Sequence, residues 1–468
     1  MNLVKFLILA VIGLLIRLWL VPQWADVGGA ADTPQYERFA RNLVQHGVFS
    51  DDEGDHPVPN ARRMPGYPFF LATIYSVCGL GKWRAVQVAQ AVIDLLTCWL
   101  VYRTARELFR DRLVGFWSFG TALICAPVLI FSGYVLPETL ATFWVTLAVY
   151  CALKGCRDNR NVWFIGLGIS CAAAAMMRPT LALLPVFLLP AFYLTPEGRR
   201  FFTLKRAGLA VFCWLFLMLP WVTRNAISLH EFNFLSAARA TKSDDRARGY
   251  HRWLSTWVDS QAYNRPLAYA VVYQRTPGYK PDDLPAGEKF ERSFPKHAFD
   301  TDEERLQVKE LMNKVYLNVG LTDETDQAFA RLAAKKIRAH PLRYYVALPL
   351  YRMLMLWTEP PWHWFINAPP RVVRLAQLIS IAIVAFGFGG LWVIRHHWRD
   401  AGPLWLAMLG CTLGGVVTCF AVATVNPRFV VPVYPQMCIF ASACAFHLTR
   451  AKSPLKTSTE IYEPDYDR

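Results

Sequence analysis

Gly28-Gly29-Ala30-Ala31-Asp32-Thr33-Pro34-Gln35-Tyr36 follows the first apolar segment of the chain, and Arg62-Arg63-Met64-Pro65-Gly66-Tyr67-Pro68 precedes the return to apolar sequence. A carboxylate thus stands at the lip of an apolar segment and opens a short amphipathic pattern. A pair of arginines and a Pro-Gly-Tyr-Pro turn close it. Working outward, 54% of the residues are hydrophobic, only 18% are charged, and the mean hydropathy is +0.23. A soluble chain of 468 residues carries more charge than this, so the composition indicates a membrane protein. The block at 28–68 then lies where chemistry can occur at the boundary between water and lipid.

Apolar runs of bilayer-crossing length recur at Leu3–Leu20, Val86–Val101, Leu113–Leu129, Leu136–Leu153, Val162–Met177, Leu181–Leu194, Ala207–Val222, Val373–Ile394, Pro403–Thr424 and Val430–Leu448. They predict an all-α membrane protein of about 10–11 spans. The upper figure applies if Tyr344–Trp357 crosses and does not lie in the interface. The 17 Trp and 19 Tyr suit aromatic belts. The first segment carries Arg17 and lacks a small-residue cleavage end, which predicts an uncleaved span.

Alternate short loops are basic: Arg103, Arg106, Arg110 and Arg112; Lys154, Arg157 and Arg160; Arg199, Arg200, Lys205 and Arg206; Arg395 and Arg399; then Arg450, Lys452 and Lys456. The positive-inside rule places these loops and both termini in the cytoplasm. Much of the +15 net charge is therefore topogenic, and no nucleic-acid partner is implied. The 11 Cys lie in or beside apolar runs and are expected to be small buried residues.

Residues 1–222 read as a membrane module whose first outer loop, 21–82, holds the candidate chemistry. Residues 223–371 read as a mostly helical extracytoplasmic region, 372–449 as a C-terminal bundle, and 450–468 as a cytoplasmic tail with a polar end. In the outer region the spacing predicts a helix over Asp302–Val319, with Leu306, Val308, Leu311, Met312, Val315 and Tyr316 as its apolar stripe. It predicts another over Asp323–Ile337, capped by Thr322.

In the first outer loop, Pro34 suits the first helical position and makes Thr33 the expected cap. Tyr36, Phe39, Ala40, Leu43 and Val44 fall on one face, with Arg38, Arg41 and Gln45 off it, and Gly47 ends the pattern. Asp32 then precedes its cap and can point into a cavity; its bland alternative is to cap or solvate the helix start. Asp26, Asp51, Asp52 and Asp55 share the loop and are expected to tolerate amide replacement. Arg178, Arg224 and Arg428 stand at the outer ends of different spans, each beside a proline or a Pro-Trp turn. Together they can hold a lipid phosphate; singly, each can simply snorkel to the interface. Glu138, after Pro137, is a carboxylate on the same side, and its structural alternative is to complement a helix dipole.

These blocks resemble the GT-C superfamily of integral-membrane glycosyltransferases that use polyprenyl-phosphate sugars, of the protein O-mannosyltransferase and lipid A aminoarabinose transferase type. The residues that carry the resemblance, in order, are Arg17-Leu18 with Asp32, Tyr36, Ala40 and Leu43; Arg63 to Pro68; Pro137-Glu138; Arg178-Pro179; Pro220 to Asn225; His340-Pro341 with Tyr344; and Pro427-Arg428-Phe429 with Pro432, Tyr434 and Pro435. The resemblance implies a GT-C fold with extracytoplasmic amphipathic helices and Asp32 as catalytic base. It implies Arg428, Arg224, Arg178 and Arg63 as holders of the donor phosphate, with Tyr36, Glu138, Arg62 and Tyr67 around the site. The first loop has Asp-Thr where the protein O-mannosyltransferases have adjacent acids, so a mannosyl donor is not implied.

The implied reaction moves a sugar from a polyprenyl-phosphate donor to a hydroxyl on protein, lipid or glycan, with inversion, at the periplasmic face of a bacterial inner membrane. One base and a cationic clamp suffice, so no metal or cofactor is called for. A ligase or polymerase acting on lipid-linked glycans is the nearest alternative. A transporter or flippase would show paired Gly/Pro-broken helices in repeated halves, and these are not visible.

Overall fold

The computed structural model describes residues 3–24, 32–235, 247–260, 294–317, 321–358, 367–422 and 425–449. The expectations for Asp26, for residues 28–31 and for the tail at 450–468 lie outside them. Among the described residues there are helices and turns and no strands.

The chain runs through α1 (Val4–Trp24), α2 (Thr33–His46), α3 (Gly66–Cys78), α4 (Trp83–Phe109), α5 (Arg112–Leu123), α6 (Ala126–Phe131), α7 (Glu138–Gly155), α8 (Asn161–Met177), α9 (Leu204–Leu229), α10 (Arg248–Leu254), α11 (Asp302–Leu317), α12 (Asp323–Ala339), α13 (Leu348–Thr358), α14 (Pro370–Val393), α15 (Gly402–Val422) and α16 (Tyr434–Thr449). By length and composition, 5 helices of the described residues can cross a membrane: α1, α4, α9, α14 and the stretch Val431–Thr449 that contains α16. The other expected spans form helices in the expected places that are shorter, interrupted or less apolar. Leu113–Leu129 breaks between α5 and α6, where Pro127 opens the second helix. Leu181–Leu194 becomes a run of single turns around Pro185 and Pro190, since each proline removes a backbone donor. Helix α7 is buried along nearly its whole length, against α4 and α8.

Two compact units emerge. The first comprises the described residues within Met1–Ser236, Pro360–Cys411 and Val430–Arg468. In it α7 packs on α8 and α4, α8 on α9, and α14 on α16. Arg17 of α1 is fully buried and bonds Asp94 of α4, Nε to Oδ2, at 2.6 Å. Buried polar groups in such a bundle need partners, and the Gly13 carbonyl supplies Arg17 with another at 3.1 Å.

The second unit comprises the described residues within Ala237–Glu359 and Thr412–Phe429. Its core gathers Tyr250, Trp253, Trp257, Phe294, Val308, Met312, Val315 and Phe329. The expected stripe of α11 is therefore partly correct: Leu306 is exposed, and Tyr316 lies at a position whose burial is not described. Thr322 caps α12 in a reciprocal pair with Thr325. Lys336 is buried between Glu304 (3.1 Å), Asp300 (3.2 Å) and the Ala298 carbonyl (2.9 Å). The ambiguous stretch Tyr344–Trp357 belongs to this unit. Arg352 of α13 is fully buried and donates to the carbonyls of Val258 (2.7 Å) and Ser255 (2.9 Å). Most described cysteines are buried, Cys78 and Cys213 excepted.

Candidate functional site

Helix α2 begins at Thr33, one residue earlier than its pattern predicts, so Asp32 is the flanking residue and Pro34 falls in the first turn. The Asp32 side chain nevertheless makes no capping bond. It bonds Arg63, Oδ1 to Nη2, at 2.6 Å, with the carboxylate 22% and the guanidinium 30% exposed. Thr33 donates its hydroxyl to the Val135 carbonyl at 3.2 Å, which docks the helix start on the turn before Glu138. Tyr36, Phe39 and Ala40 are buried, as the periodicity requires, whereas Val44 is exposed and Asn42 is buried in its place. Asn42 is needed inside because its amide donates to the carbonyls of Ser50 and Asp52, both at 2.9 Å, and so folds the loop back on the helix. Gly47 ends α2 with φ 66°, a left-handed conformation that favours glycine.

The Pro65-Gly66-Tyr67-Pro68 turn has a packing cause. A Cβ on Gly66 would stand 2.6 Å from Met177 Cε and 2.8 Å from the Met176 carbonyl oxygen. Only glycine lets α3 start against the end of α8, immediately before Arg178. Tyr67 is then fully buried, edge-on to Tyr36 with ring centroids 5.2 Å apart. Its hydroxyl donates to Gln90 Oε1 at 2.8 Å. Gln90 in turn donates to the carbonyls of Ser132 (3.1 Å) and Tyr134 (2.6 Å). Burial, with Tyr75, Glu138, Tyr36 and Glu37 around it, holds the Tyr67 phenol well above its ordinary range, so Tyr67 is a neutral donor. Glu138 is fully buried at the start of α7 and lies 3.3 Å from Arg178. Helix α2 is tied down again by Glu37, which accepts from Tyr75 at 2.9 Å and from Trp83.

The structure thus gathers Asp32, Arg63, Tyr36, Tyr67, Glu138 and Arg178 around the start of α2. The Arg63 guanidinium lies over the Tyr36 ring, 5.2 Å from its centroid. Arg62 turns away to Asp51, 3.1 Å distant. Arg224 is engaged with the loop: its guanidinium donates to the carbonyls of Phe49 and Asn60, both at 2.9 Å, and to Asn225 at 3.0 Å. Arg428 belongs to the second unit, where it is mostly buried in the turn Pro427–Phe429 and its backbone N–H donates to Asn426 Oδ1 at 3.2 Å.

Sequence reasoning missed Gln35 and Asp51. Asp51, expected to be a bystander, has a side chain only 2% exposed. It accepts from Gln35 (2.7 Å), Asn60 (2.8 Å) and Arg62. Its neighbour Asp52 accepts from the Val58 N–H at 3.0 Å in an exposed bond, and Asp55 is exposed. Nothing in their spacing separates these aspartates; only the folded loop does.

The all-helical architecture, with Asp32 and Arg63 paired at the start of α2, has a GT-C-like fold. Residues 55–223 match the dolichyl-phosphate-mannose-protein mannosyltransferase family. That stretch includes Arg62, Arg63, Tyr67, Glu138 and Arg178, while Asp32 and Tyr36 precede it and Arg224 follows it. A 146-residue stretch is 31% identical to undecaprenyl phosphate-alpha-4-amino-4-deoxy-L-arabinose arabinosyl transferase 2 of Proteus mirabilis; it covers 30% of this chain and 26% of that protein. Among solved structures, the oligosaccharyltransferase AglB of Archaeoglobus fulgidus, in complex with an inhibitory peptide and a dolichol-phosphate, superposes with a TM-score of 0.50 at 13% identity, over 97% of this chain and 53% of that one. ArnT from Cupriavidus metallidurans, bound to undecaprenyl phosphate, gives 0.42 at 16% identity, over 96% and 78%.

Proposed function

We propose that this protein is a membrane glycosyltransferase that moves a sugar from a polyprenyl-phosphate donor to a hydroxyl acceptor on the extracytoplasmic face, in a bacterial inner membrane. The observation that carries the proposal is the Asp32 carboxylate, which makes no capping bond and is bonded to Arg63 at 2.6 Å. In this reading Asp32 takes the proton of the acceptor hydroxyl. The hydroxyl oxygen bonds to the anomeric carbon as the bond from that carbon to the phosphate oxygen breaks, and the polyprenyl phosphate leaves with the electron pair. Attack from the face opposite the leaving group inverts the anomeric centre. Such base assistance contributes about 10²–10⁴ in rate, and cations stabilise the charge growing on the phosphate.

Arg63, bonded to Asp32, and Arg178, paired with Glu138, are the proposed phosphate holders; the resemblance alone names Arg428 as a further one. Arg224 contributes by clasping the loop that carries Arg62 and Arg63. Tyr36, Tyr67 and Glu138 wall the site, and the surrounding apolar helices provide the surface for the polyprenyl tail. The family match over residues 55–223 and the name of the Proteus mirabilis relative support a lipid monophosphate donor.

The test is transfer in membranes that contain the full chain. Labelled sugars on undecaprenyl phosphate are supplied, 4-amino-4-deoxy-L-arabinose and mannose among them, and label leaving the lipid is counted. Transfer that is lost in Asp32→Asn supports the reading. Transfer only from diphosphate-linked oligosaccharides would replace it with a glycan ligase or polymerase.

A further inference from the structure

Asp32 is oriented by Arg63, and Arg63 is itself held from behind. Its Nε–H donates to Gln35 Oε1 at 2.7 Å, and the Gln35 amide nitrogen donates to Asp51 Oδ2, also at 2.7 Å. The amide has only one workable orientation, with oxygen toward the guanidinium and NH2 toward the carboxylate. Asp51 is the fixed end of this chain. Its Oδ1 accepts from Asn60 at 2.8 Å and from Arg62 at 3.1 Å, and its backbone carbonyl accepts from Arg38 at 2.9 Å. Asn42 grips the residues on either side of Asp51, and Arg224 clasps the loop at Phe49 and Asn60. The hydrogen-bonded order is therefore Asp51–Gln35–Arg63–Asp32, running from a buried carboxylate to a half-open one.

We infer that Gln35 and Asp51 are positioning residues for Asp32, which act through Arg63 to set where the carboxylate points and how strongly the guanidinium holds it. The inference rests on the reading of Asp32 as the base. Charge-assisted bonds at both ends of an uncharged amide make Gln35 a rigid spacer. A displacement of about 1 Å at the base can cost on the order of 10²-fold in rate.

The test inverts the relay. Gln35→Glu puts a carboxylate where the amide faced Asp51, so like charges meet, and it gives Arg63 a second anionic partner. Asp51→Asn in the same chain supplies an amide donor to that new carboxylate and restores the bond with its polarity reversed. Full-length variants are purified in detergent and assayed with undecaprenyl phosphate carrying 4-amino-4-deoxy-L-arabinose or mannose, whichever transfers in wild-type membranes. The expected result is a fall in kcat of about 10²-fold for Gln35→Glu, with recovery to within about 10-fold in Gln35→Glu/Asp51→Asn. The acid limb of the kcat profile should also move in Gln35→Glu. Drawing Arg63 off Asp32 removes a cation that favours the ionised carboxylate, so the proton binds more tightly and the limb moves to higher pH. Gln35→Leu, which breaks both bonds without adding charge, replaces Gln35→Glu if the latter does not fold. It should lower kcat and move the same limb.

Wild-type kcat and an unmoved limb in the Gln35 variants would overturn the inference. A loss of activity without recovery in the double variant, with the wild-type limb kept, would make the relay purely structural and overturn it equally. Asp32→Asn in the same preparations separates the two readings. Its normal turnover would sink the base assignment and this inference with it, whereas inactive Asp32→Asn beside normal Gln35 variants sinks the relay alone.

Discussion

A carboxylate can serve as a base or as a helix cap, and an amide tells the two apart. Asn caps as well as Asp does, so Asp32→Asn should insert and fold normally in either role. As the base, it should lose transfer by about 10²–10⁴-fold with donor binding preserved; near-normal turnover of the purified variant would remove Asp32 from the chemistry. Asp32→Glu should retain little, because an added methylene moves the carboxylate by about 1 Å. Asp51→Asn is expected to cost activity and thermal stability, since it removes a charge from a buried network; breaking a buried pair costs about 3–5 kcal/mol at the upper end. Asp55→Asn, on an exposed side chain, should change neither, and the contrast can be read from melting curves of the purified proteins. The Thr-Pro start with a carboxylate ahead of it was legible as a side chain that a cap need not consume, whereas the role of base came from the resemblance alone. The cap fell one residue from its expected position, yet the side chain still went elsewhere. Asp51 was illegible because its importance comes from partners 9, 11 and 16 residues away in a loop without periodicity.

At the scale of elements, the loop between α2 and α3 is shaped by contacts that no helical or strand period announces. Arg224 reads as a phosphate holder only together with Arg178 and Arg428 and by the resemblance; taken singly it reads as a snorkelling residue. In the fold it spans the carbonyls of Phe49 and Asn60, and the Asn60 N–H donates to the Phe49 carbonyl at 3.1 Å. Hydrogen bonds to charged groups are worth about 1.5–3 kcal/mol each. Arg224→Ala should therefore loosen the loop, with faster amide exchange across 48–62 and a fall in kcat. Arg224→Lys should restore little, since a point-like ammonium lacks the planar fork that spans both carbonyls. Protected exchange in Arg224→Ala, with a raised donor KM as the sole defect, would return Arg224 to direct phosphate binding. Gly66 offers a companion test. An added Cβ can push aside the flexible end of Met177, but the Met176 carbonyl is backbone and cannot yield without moving α8 against α3. Gly66→Ala is expected to cost about 1–3 kcal/mol, seen as a lower melting temperature, and to weaken transfer through the adjoining Arg178. The motif's glycine was visible in the sequence; the neighbour that requires it was not, because the two are more than a hundred residues apart.

For the whole molecule, hydropathy announced a multi-span helical protein, and the helices stand where the apolar runs do. It did not announce their lengths: a hydropathy window averages over the prolines that break Leu181–Leu194 into single turns, and it cannot tell a lipid-facing helix from one as buried as α7. Sidedness is the remaining global property, and it is argued from charge. Arg103 to Arg112, Lys154 to Arg160 and Arg199 to Arg206 are clustered in alternate loops, while Asp32, Glu138, Arg178 and Arg224 occupy the intervening ones. Lys and Arg are retained on the cytoplasmic side when short loops are sorted, so these site residues, and Arg428 by the same alternation, should face the opposite compartment from the termini. Single cysteines placed beside each site residue in a cysteine-free background should react with an impermeant maleimide added outside spheroplasts. Cysteines placed in the Arg103–Arg112 and Lys154–Arg160 loops should react only after the membrane is opened. Asp32 labelled only from the cytoplasmic side would leave the base facing the wrong compartment and end the proposed mechanism, whatever the fold. Correct sidedness for Asp32 with cytoplasmic labelling at Arg428 would remove that arginine alone from the donor clamp.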